Sequence, residues 1–313
     1  MAPKAGFLPK KLYFAGFFAK PPYMILFKKA ADLTHWLKRQ QAAGLTIGFV
    51  PTLGALHQGH ISLIDISRSE TVLTVCSIFV NPTQFNDPAD FKKYPVTLEK
   101  DIALLEKAGT DALFLPDVDS LYPGGTSQLE HYDLGSLESI LEGKYRPGHF
   151  QGVCQVMYRL LNIVRPDHLF MGSKDYQQCM VVQRLLEIMG LPTALHRCPI
   201  VREPDGLAMS SRNTRLDPAQ RVNALAIYRA LRGIREGWSA GIPIAQLIAT
   251  ATTTLEAASF RVDYVSIAGA ATLEPLGDAP PASDAPAATH RGDAVALIAA
   301  FQGEVRLIDN MTL

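Results

Sequence analysis

Apolar residues alternate between two patterns over residues 46–201. The stretches 46–51 (TIGFVP) and 71–80 (TVLTVCSIFV) are apolar and β-branched with no polar face, which predicts strands buried on both sides. Residues 111–116 (DALFLP), 167–171 and 194–201 predict three more strands. Between them the apolar period becomes helical. Residues 59–69, 97–108 and 175–189 read as helices, and 97–108 sets Leu98, Ile102 and Leu105 on one face before Gly109 stops it. Residues 149–164 align Phe150, Val153, Val156, Met157, Leu160, Leu161 and Val164. Strands alternating with helices imply βαβ units, a mainly parallel sheet and right-handed crossovers.

The pattern changes after residue 202. Two helical stretches, 218–236 and 243–259, precede short strands at 262–268, 294–301 and 304–309. Residues 277–293 are rich in Ala and Pro and read as a solvated loop, since they cannot bury enough apolar surface to offset ordering. The expected class is therefore α/β: a mainly parallel sheet domain over 24–201 and a smaller α+β domain over 202–313. Residues 1–23 stand apart. They hold Lys4, Lys10, Lys11 and Lys20, no acid, and the aromatic cluster Tyr13, Phe14, Phe17 and Phe18. Lys and Pro interrupt the run and no small-residue cleavage site follows, so it reads as a disordered extension and not as a signal peptide. Met24 opens what looks like an amphipathic helix and is a candidate natural start.

Composition narrows the class. A chain of 313 residues suits about two domains. With 48% hydrophobic and 19% charged residues it is not a disordered chain. No apolar run is long enough to predict a membrane helix. Thirty basic residues balance thirty acidic ones, so the broad basic excess of a nucleic-acid binder is missing. Setting the extension aside leaves 26 basic residues against 30 acidic. Cys76, Cys154, Cys179 and Cys198 show no C-x-x-C spacing and read as reduced, buried thiols.

Five segments carry candidate chemistry. Leu53-Gly54-Ala55-Leu56-His57-Gln58-Gly59-His60 leads from the first strand into a helix. Free N–H groups and the positive dipole end at such a helix start suit phosphate, and two histidines add donors. The same H-x-x-H is compatible with a metal pair or with two solvated loop histidines. It is neither a Walker P-loop nor the dinucleotide fingerprint. Asn81 and Gln84 lie at the carboxyl end of the second strand, where ligands bind in doubly wound sheets. The Asn-Pro step there equally suits a turn. Arg146, before the 149–164 helix, suits a carboxylate, a phosphate or a surface acid. Gly172-Ser173-Lys174-Asp175 again follows a strand. Its Lys suits phosphoryl charge, its Asp suits either a ligand hydroxyl or a helix cap, and Gln178 lies one turn on. Met209-Ser210-Ser211-Arg212-Asn213 offers hydroxyls and a guanidinium, as a phosphate clamp, a lid contact or a polar turn.

Taken in order, PTLGALHQGH, FVNPTQF, YRPGHFQGV, GSKDYQQ and VREPDGLAMSSRN closely resemble the pantoate–β-alanine ligase family, from about Met24 to Leu313. HQGH also resembles the H-x-G-H signature of the wider nucleotidyltransferase superfamily. The resemblance implies a Rossmann-like domain, a smaller lid domain hinged over it, a cytoplasmic homodimer, and small-molecule substrates without nucleic acid or membrane. It implies ligation of pantoate to β-alanine through pantoyl adenylate, with AMP and pyrophosphate released and Mg2+ carried on the ATP phosphates.

Carried over by residue, His57 and His60 contact the phosphates and His60 is the proton donor. Lys174, Arg212, Ser210 and Ser211 hold phosphate oxygens. The loop Leu53, Gly54, Ala55, Leu56, Gln58 and Gly59, with Ser173, belongs to the ATP site. Gly172 and Asp175 meet ribose, and Val201 and Met209 meet adenine. Gln84 and Gln178 hold pantoate, with Asn81 and Arg146 behind them, and Gln84 also touches β-alanine. Three residues depart from the family pattern: Leu53 replaces Met, Gln58 replaces an acid, and Val96 replaces the Arg of Y-P-R. Another adenylyltransferase on the same fold, or a non-catalytic nucleotide binder, are the competing readings.

Overall fold

The computed structural model describes residues 23–127, 129–277 and 293–313. Residues 1–22 of the expected extension and nearly all of the 277–293 loop lie outside that description. Six strands form one parallel sheet: β1 (Ile25–Phe27), β2 (Ile47–Thr52), β3 (Leu73–Ile78), β4 (Ala112–Phe114), β5 (His168–Gly172) and β6 (Ala194–Cys198). Their spatial order is β1-β4-β3-β2-β5-β6. The order reverses at β2, which pairs with β3 on one side and β5 on the other. A doubly wound sheet opens its ligand crevice at such a reversal, beyond the carboxyl ends of the strands.

The helices of this part are α1 (Ala30–Ala42), α2 (Gln58–Glu70), α3 (Pro88–Lys92), α4 (Leu98–Lys107), α5 (Val118–Leu121), α6 (Leu141–Tyr145), α7 (His149–Val164) and α8 (Tyr176–Met189). Buried residues from α1, α7 and α8 join one face of the sheet in a single apolar cluster, and α2 and α4 pack on the other. β3 is buried throughout, as its unbroken apolar run requires.

The remaining elements are α9 (Pro218–Asn223), α10 (Leu225–Ser239), α11 (Ile244–Ala257), and an antiparallel sheet β7-β8-β9 made of Phe260–Gly269, Ala294–Gln302 and Val305–Thr312. Alternation along β8 divides its two faces. Ala294, Ala296, Ile298 and Ala300 pack with α10 and α11, whereas Val295 and Leu297 pack toward Tyr176 and Met180 of α8.

Three local expectations are corrected. Met24 does not open a helix; Ile25–Phe27 pair with Ala112–Phe114 as an edge strand, and the helix starts at Ala30. Sheet pairing outcompetes the helical pattern of these few residues. The strand expected over 194–201 stops at Cys198, because residues 199–201 turn out of the sheet to wall the cleft. The single helix expected over 218–236 is two, breaking at Ala224. All four cysteines are buried and unpaired, and burial pushes the Cys76, Cys154 and Cys179 thiols up to about 12.

Candidate active site

A cleft of about 220 Å3 opens over the carboxyl ends of β2, β3 and β5. Its lining includes His57, His60, Gln84, Arg146, Lys174, Asp175, Gln178, Met209, Ser210, Ser211 and Arg212, drawn from all five sequence segments. Leu53, Phe79, Val153, Val156, Met157, Leu160 and Met171 form an apolar wall. The cleft adjoins a wider one of about 700 Å3 between the two sheets, with Arg146, Lys174, Asp175, Ser210 and Arg212 common to both. Of the three departures, Leu53 lines the smaller cleft, Gln58 is exposed at the start of α2, and Val96 is 79% exposed.

The β2–α2 loop is built differently from a phosphate-binding backbone nest. Asp101 of α4, itself 2% exposed, accepts the Ala55 and Leu56 N–H groups at 2.8 Å each and the Thr97 hydroxyl at 3.0 Å. Gly54 N–H donates to Thr52 Oγ1 at 3.2 Å. His57 N–H donates to His60 Nδ1 at 3.3 Å and Gly59 N–H to His57 Nδ1 at 3.2 Å. The two histidines thus form a reciprocal cap on α2. Five backbone donors of this loop, those of Gly54, Ala55, Leu56, His57 and Gly59, are thus spent inside the protein.

Gly54, Ala55, Leu56, Gln58 and Ser173 contribute no lining to the cleft; the loop residues among them shape the backbone that carries the histidines. Gly59 is required because a Cβ there would lie 2.9 Å from the His57 ring. Asp101 was not singled out in the sequence. Its signal is an acid on the buried face of α4, beside Ile102 and between Leu98 and Leu105. Asp101→Ala leaves two buried N–H groups unpaired, at about 1–3 kcal/mol each. The melting temperature is expected to fall by roughly 5–10 °C, measured by calorimetry alongside a loss of turnover.

The tautomers follow from these bonds. A neutral imidazole has one N–H, and Nδ1 of both rings accepts a backbone proton, so Nε2–H is left for the cleft. Burial, with Lys174 nearby, holds His57 down at about 4, and burial with His57 and Lys174 holds His60 at about 3. His149, at the start of α7, is held at about 3 by burial and Arg146. These rings stay neutral in the folded chain and charge near 6.5 when unfolded. Stability is therefore full above about pH 6.5 and lost as pH falls, when the unfolded chain takes up nearly three more protons. The expected slope near pH 5 reaches about 4 kcal/mol per pH unit, and a melting temperature unchanged between pH 7 and 5 would contradict it.

Asn81 does not line the cleft. It is fully buried, donates to Gln84 Oε1 at 3.2 Å and Gly152 C=O at 3.0 Å, and accepts the Tyr122 hydroxyl at 2.8 Å. Its amide locks Gln84 in place instead of meeting ligand. Gly152 permits this contact, since a Cβ there would collide with the Thr83 backbone. Asp175 makes no side-chain cap to α8, so its carboxylate faces the cleft unspent by the helix.

Arg212 is not free. Asp90 of α3 accepts its Nη2 at 2.7 Å and Arg215 Nη1 at 2.7 Å, while Ser211 Oγ donates to the Tyr94 hydroxyl at 3.2 Å. These two guanidinium groups hold the Asp90 carboxyl below its usual range despite its burial. Asp90 and Tyr94 are partners that the sequence reading missed, because their contacts span more than a hundred residues. On the other side of Lys174, Asn310 of β9 donates to the Ser173 and Lys174 carbonyls at 2.8 and 2.9 Å.

A family model described as pantoate-beta-alanine ligase matches residues 25–312. A pantothenate synthetase from Xanthomonas axonopodis pv. citri is 46% identical over 268 residues, 86% of this chain and 92% of that protein. Among solved structures, pantothenate synthetase from Thermus thermophilus superposes with a TM-score of 0.83 at 41% identity, covering 92% of this chain and 99% of the other. Pantoate-beta-alanine ligase from Francisella tularensis, complexed with beta-gamma ATP and beta-alanine, gives a TM-score of 0.74 at 34% identity, covering 92% and 97%. The chain belongs to the pantoate-beta-alanine ligase family.

Proposed function

We propose that this cleft joins pantoate to β-alanine at the expense of ATP, by way of pantoyl adenylate. The observation that carries this reading is the gathering of His57, His60, Lys174 and Arg212 with Gln84, Gln178 and an apolar wall in one crevice. The pantoate carboxylate attacks the α-phosphorus, and the bond to the pyrophosphate oxygen breaks. The amine of β-alanine then attacks the acyl carbon and AMP departs, leaving an amide. Little covalent work falls to the protein, so catalysis rests on positioning and on stabilising phosphoryl charge.

In this reading Nε2–H of His57 and His60 donates to phosphate oxygens, and Lys174 neutralises the charge that builds there. The depressed value of His60 makes it a neutral hydrogen-bond donor at pH 7, not a proton source as an imidazolium. Arg212 reaches phosphate by sharing or leaving Asp90, with Ser210 and Ser211 beside it. Gly172 and Asp175 meet the ribose, and Val201 and Met209 the adenine. Gln84, whose Nε2 has no partner among the described residues, and Gln178 hold the pantoate hydroxyl and carboxyl groups, with the dimethyl carbon against the apolar wall.

Among the described residues no group of three or more His, Cys, Asp or Glu is arranged to hold a metal ion. Mg2+ is read, as the family resemblance implies, as arriving on the ATP phosphates, where it offsets their charge. Residues 24–201 are read as the nucleotide and pantoate domain and 202–313 as the lid, in a cytoplasmic homodimer. The deciding experiment measures AMP and pyrophosphate with each acid present or withheld. AMP formation that needs both pantoate and β-alanine is expected; folded protein that makes none with both present would sink the reading, and release with a different acid would assign another transferase.

A further inference from the structure

The cationic side chains around the cleft are not equally available. Arg212 and Arg215 share Asp90. Arg306 of β9 is bound by Glu142 at 2.7 and 2.8 Å and by Asp263 at 2.8 Å. Arg202 is bound by Asp309 at 2.6 and 3.0 Å, and Lys93 pairs with Glu304. Arg146 differs from all of these. Its nearest carboxylate is Glu142, 3.7 Å from Nη1, and that carboxylate already accepts from Arg306 and from the Tyr264 hydroxyl.

Arg146 is nonetheless fixed and largely buried, its side chain 17% exposed. Its Nη1 donates to His149 Nε2 at 3.1 Å and its Nε reaches Asn86 Oδ1 at 3.4 Å. His149 Nδ1–H donates to the Gln84 carbonyl at 2.7 Å, so the ring is neutral with Nε2 as acceptor. Nη2 of Arg146 has no hydrogen-bond partner among the described residues. Burial, only partly offset by Glu142 and reinforced by Arg212 and Arg306, lowers the guanidinium to about 10. It lines both clefts and is tied through His149 to Gln84.

The reaction proposed above, on which this inference rests, involves two carboxylates. That of pantoate is consumed when the mixed anhydride forms, and its charge passes to the phosphate side of the cleft. That of β-alanine survives unchanged, two carbons from the attacking amine, and its burial demands a positive partner. Of the three Lys and Arg side chains that line the smaller cleft, Lys174 is assigned above to the phosphates and Arg212 is shared with Asp90, so Arg146 is the cation left for it. We propose that Arg146 binds the carboxylate of β-alanine, aims the amine past Gln84 at the acyl carbon, and makes an acid the required amine substrate. This replaces the pantoate contact expected from the sequence. Glu142 and His149 are positioning residues for that guanidinium.

The test compares β-alanine with propylamine, which has the same chain without the carboxylate, in wild type and in Arg146→Met and Arg146→Lys. Pyrophosphate release with pantoate and ATP alone reports the adenylation step in wild type, so failure of the ligase reading is a separate result. Wild type is expected to favour β-alanine strongly in kcat/KM. Arg146→Met should cut that preference by about 100-fold or more, through the KM for β-alanine, and Arg146→Lys should restore part of it. Equal losses for both amines would overturn the proposal, as would a rise confined to the KM for pantoate. Thermal unfolding of each variant establishes that it is folded, and the ratio within one preparation is insensitive to the folded fraction.

Discussion

Replacing Lys174 by alanine is expected to lower turnover by about 10³-fold. The residue sits in the turn Ser173–Asp175 that leaves β5, at the reversal point of the sheet. Asn310 holds both carbonyls of that turn from the second sheet, so the ammonium is presented by a fixed backbone. Lys174 makes no ion pair among the described residues, whereas Arg212 is shared with Asp90. Its charge is therefore not spent on another side chain, and on the proposed reading it serves phosphate without sharing or leaving a carboxylate, as Arg212 must. The loss should appear in kcat for adenylation, read as single-turnover pyrophosphate release, with little change in the KM for β-alanine. A variant within tenfold of wild type would remove Lys174 from the chemistry. Arg in its place should rescue poorly, because a planar guanidinium does not reproduce a compact point charge in the same turn.

Turnover should also drop by about 10²- to 10³-fold in His60→Ala, on the scale of deleting one preorganised donor. The prediction is sharper than a generic loss. Since Nδ1 of His60 accepts the His57 N–H and the ring is neutral, its service to substrate is one N–H. His60→Gln keeps an uncharged N–H donor and should retain measurably more activity than His60→Ala. If His60 instead gave up a proton as an imidazolium, Gln would be as poor as Ala and the rate would fall between pH 6 and 8. A flat profile in that range, with partial rescue by Gln, is the expected result. Removing the ring also loosens the cap on α2, so the melting temperature of each variant must accompany its rate.

The elements around this site are largely legible from residue order. Unbroken apolar runs set β2 and β3, one-sided apolar spacing set α4 and α7, and the alternation of the two set a parallel sheet with its crevice at the strand ends. Three of the five polar segments were identifiable because each follows a strand, whereas Arg146 comes just after α6 and Met209–Asn213 lie in the loop past β6, and side chains from all five line one cleft. What residue order failed to show is which of their groups stay available. Asn81 and Gln84 look alike three residues apart, yet one amide is consumed by Tyr122 and Gly152 and the other faces the cleft. The edge strand Ile25–Phe27 is too short to carry a period of its own, and only pairing with β4 defines it.

The sequence by itself pointed to the α/β class, to the family of the chain and to the segments that meet over β2, β3 and β5. The class rests on periodicity and on contacts within a few residues, whereas the family rests on the resemblance of the five motifs in order. The tertiary structure alone decided how each charge and donor is used. Ala55 and Asp101 are 46 residues apart, Arg212 and Asp90 are 122 apart, and Arg306 and Glu142 are 164 apart. Each pairing satisfies a buried ion or backbone N–H that would otherwise cost several kcal/mol. The residue that completes such a pair is set by where the chain returns in space, so Arg212 and Arg306 end up bound to carboxylates of their own protein while Nη2 of Arg146 keeps no partner among the described residues.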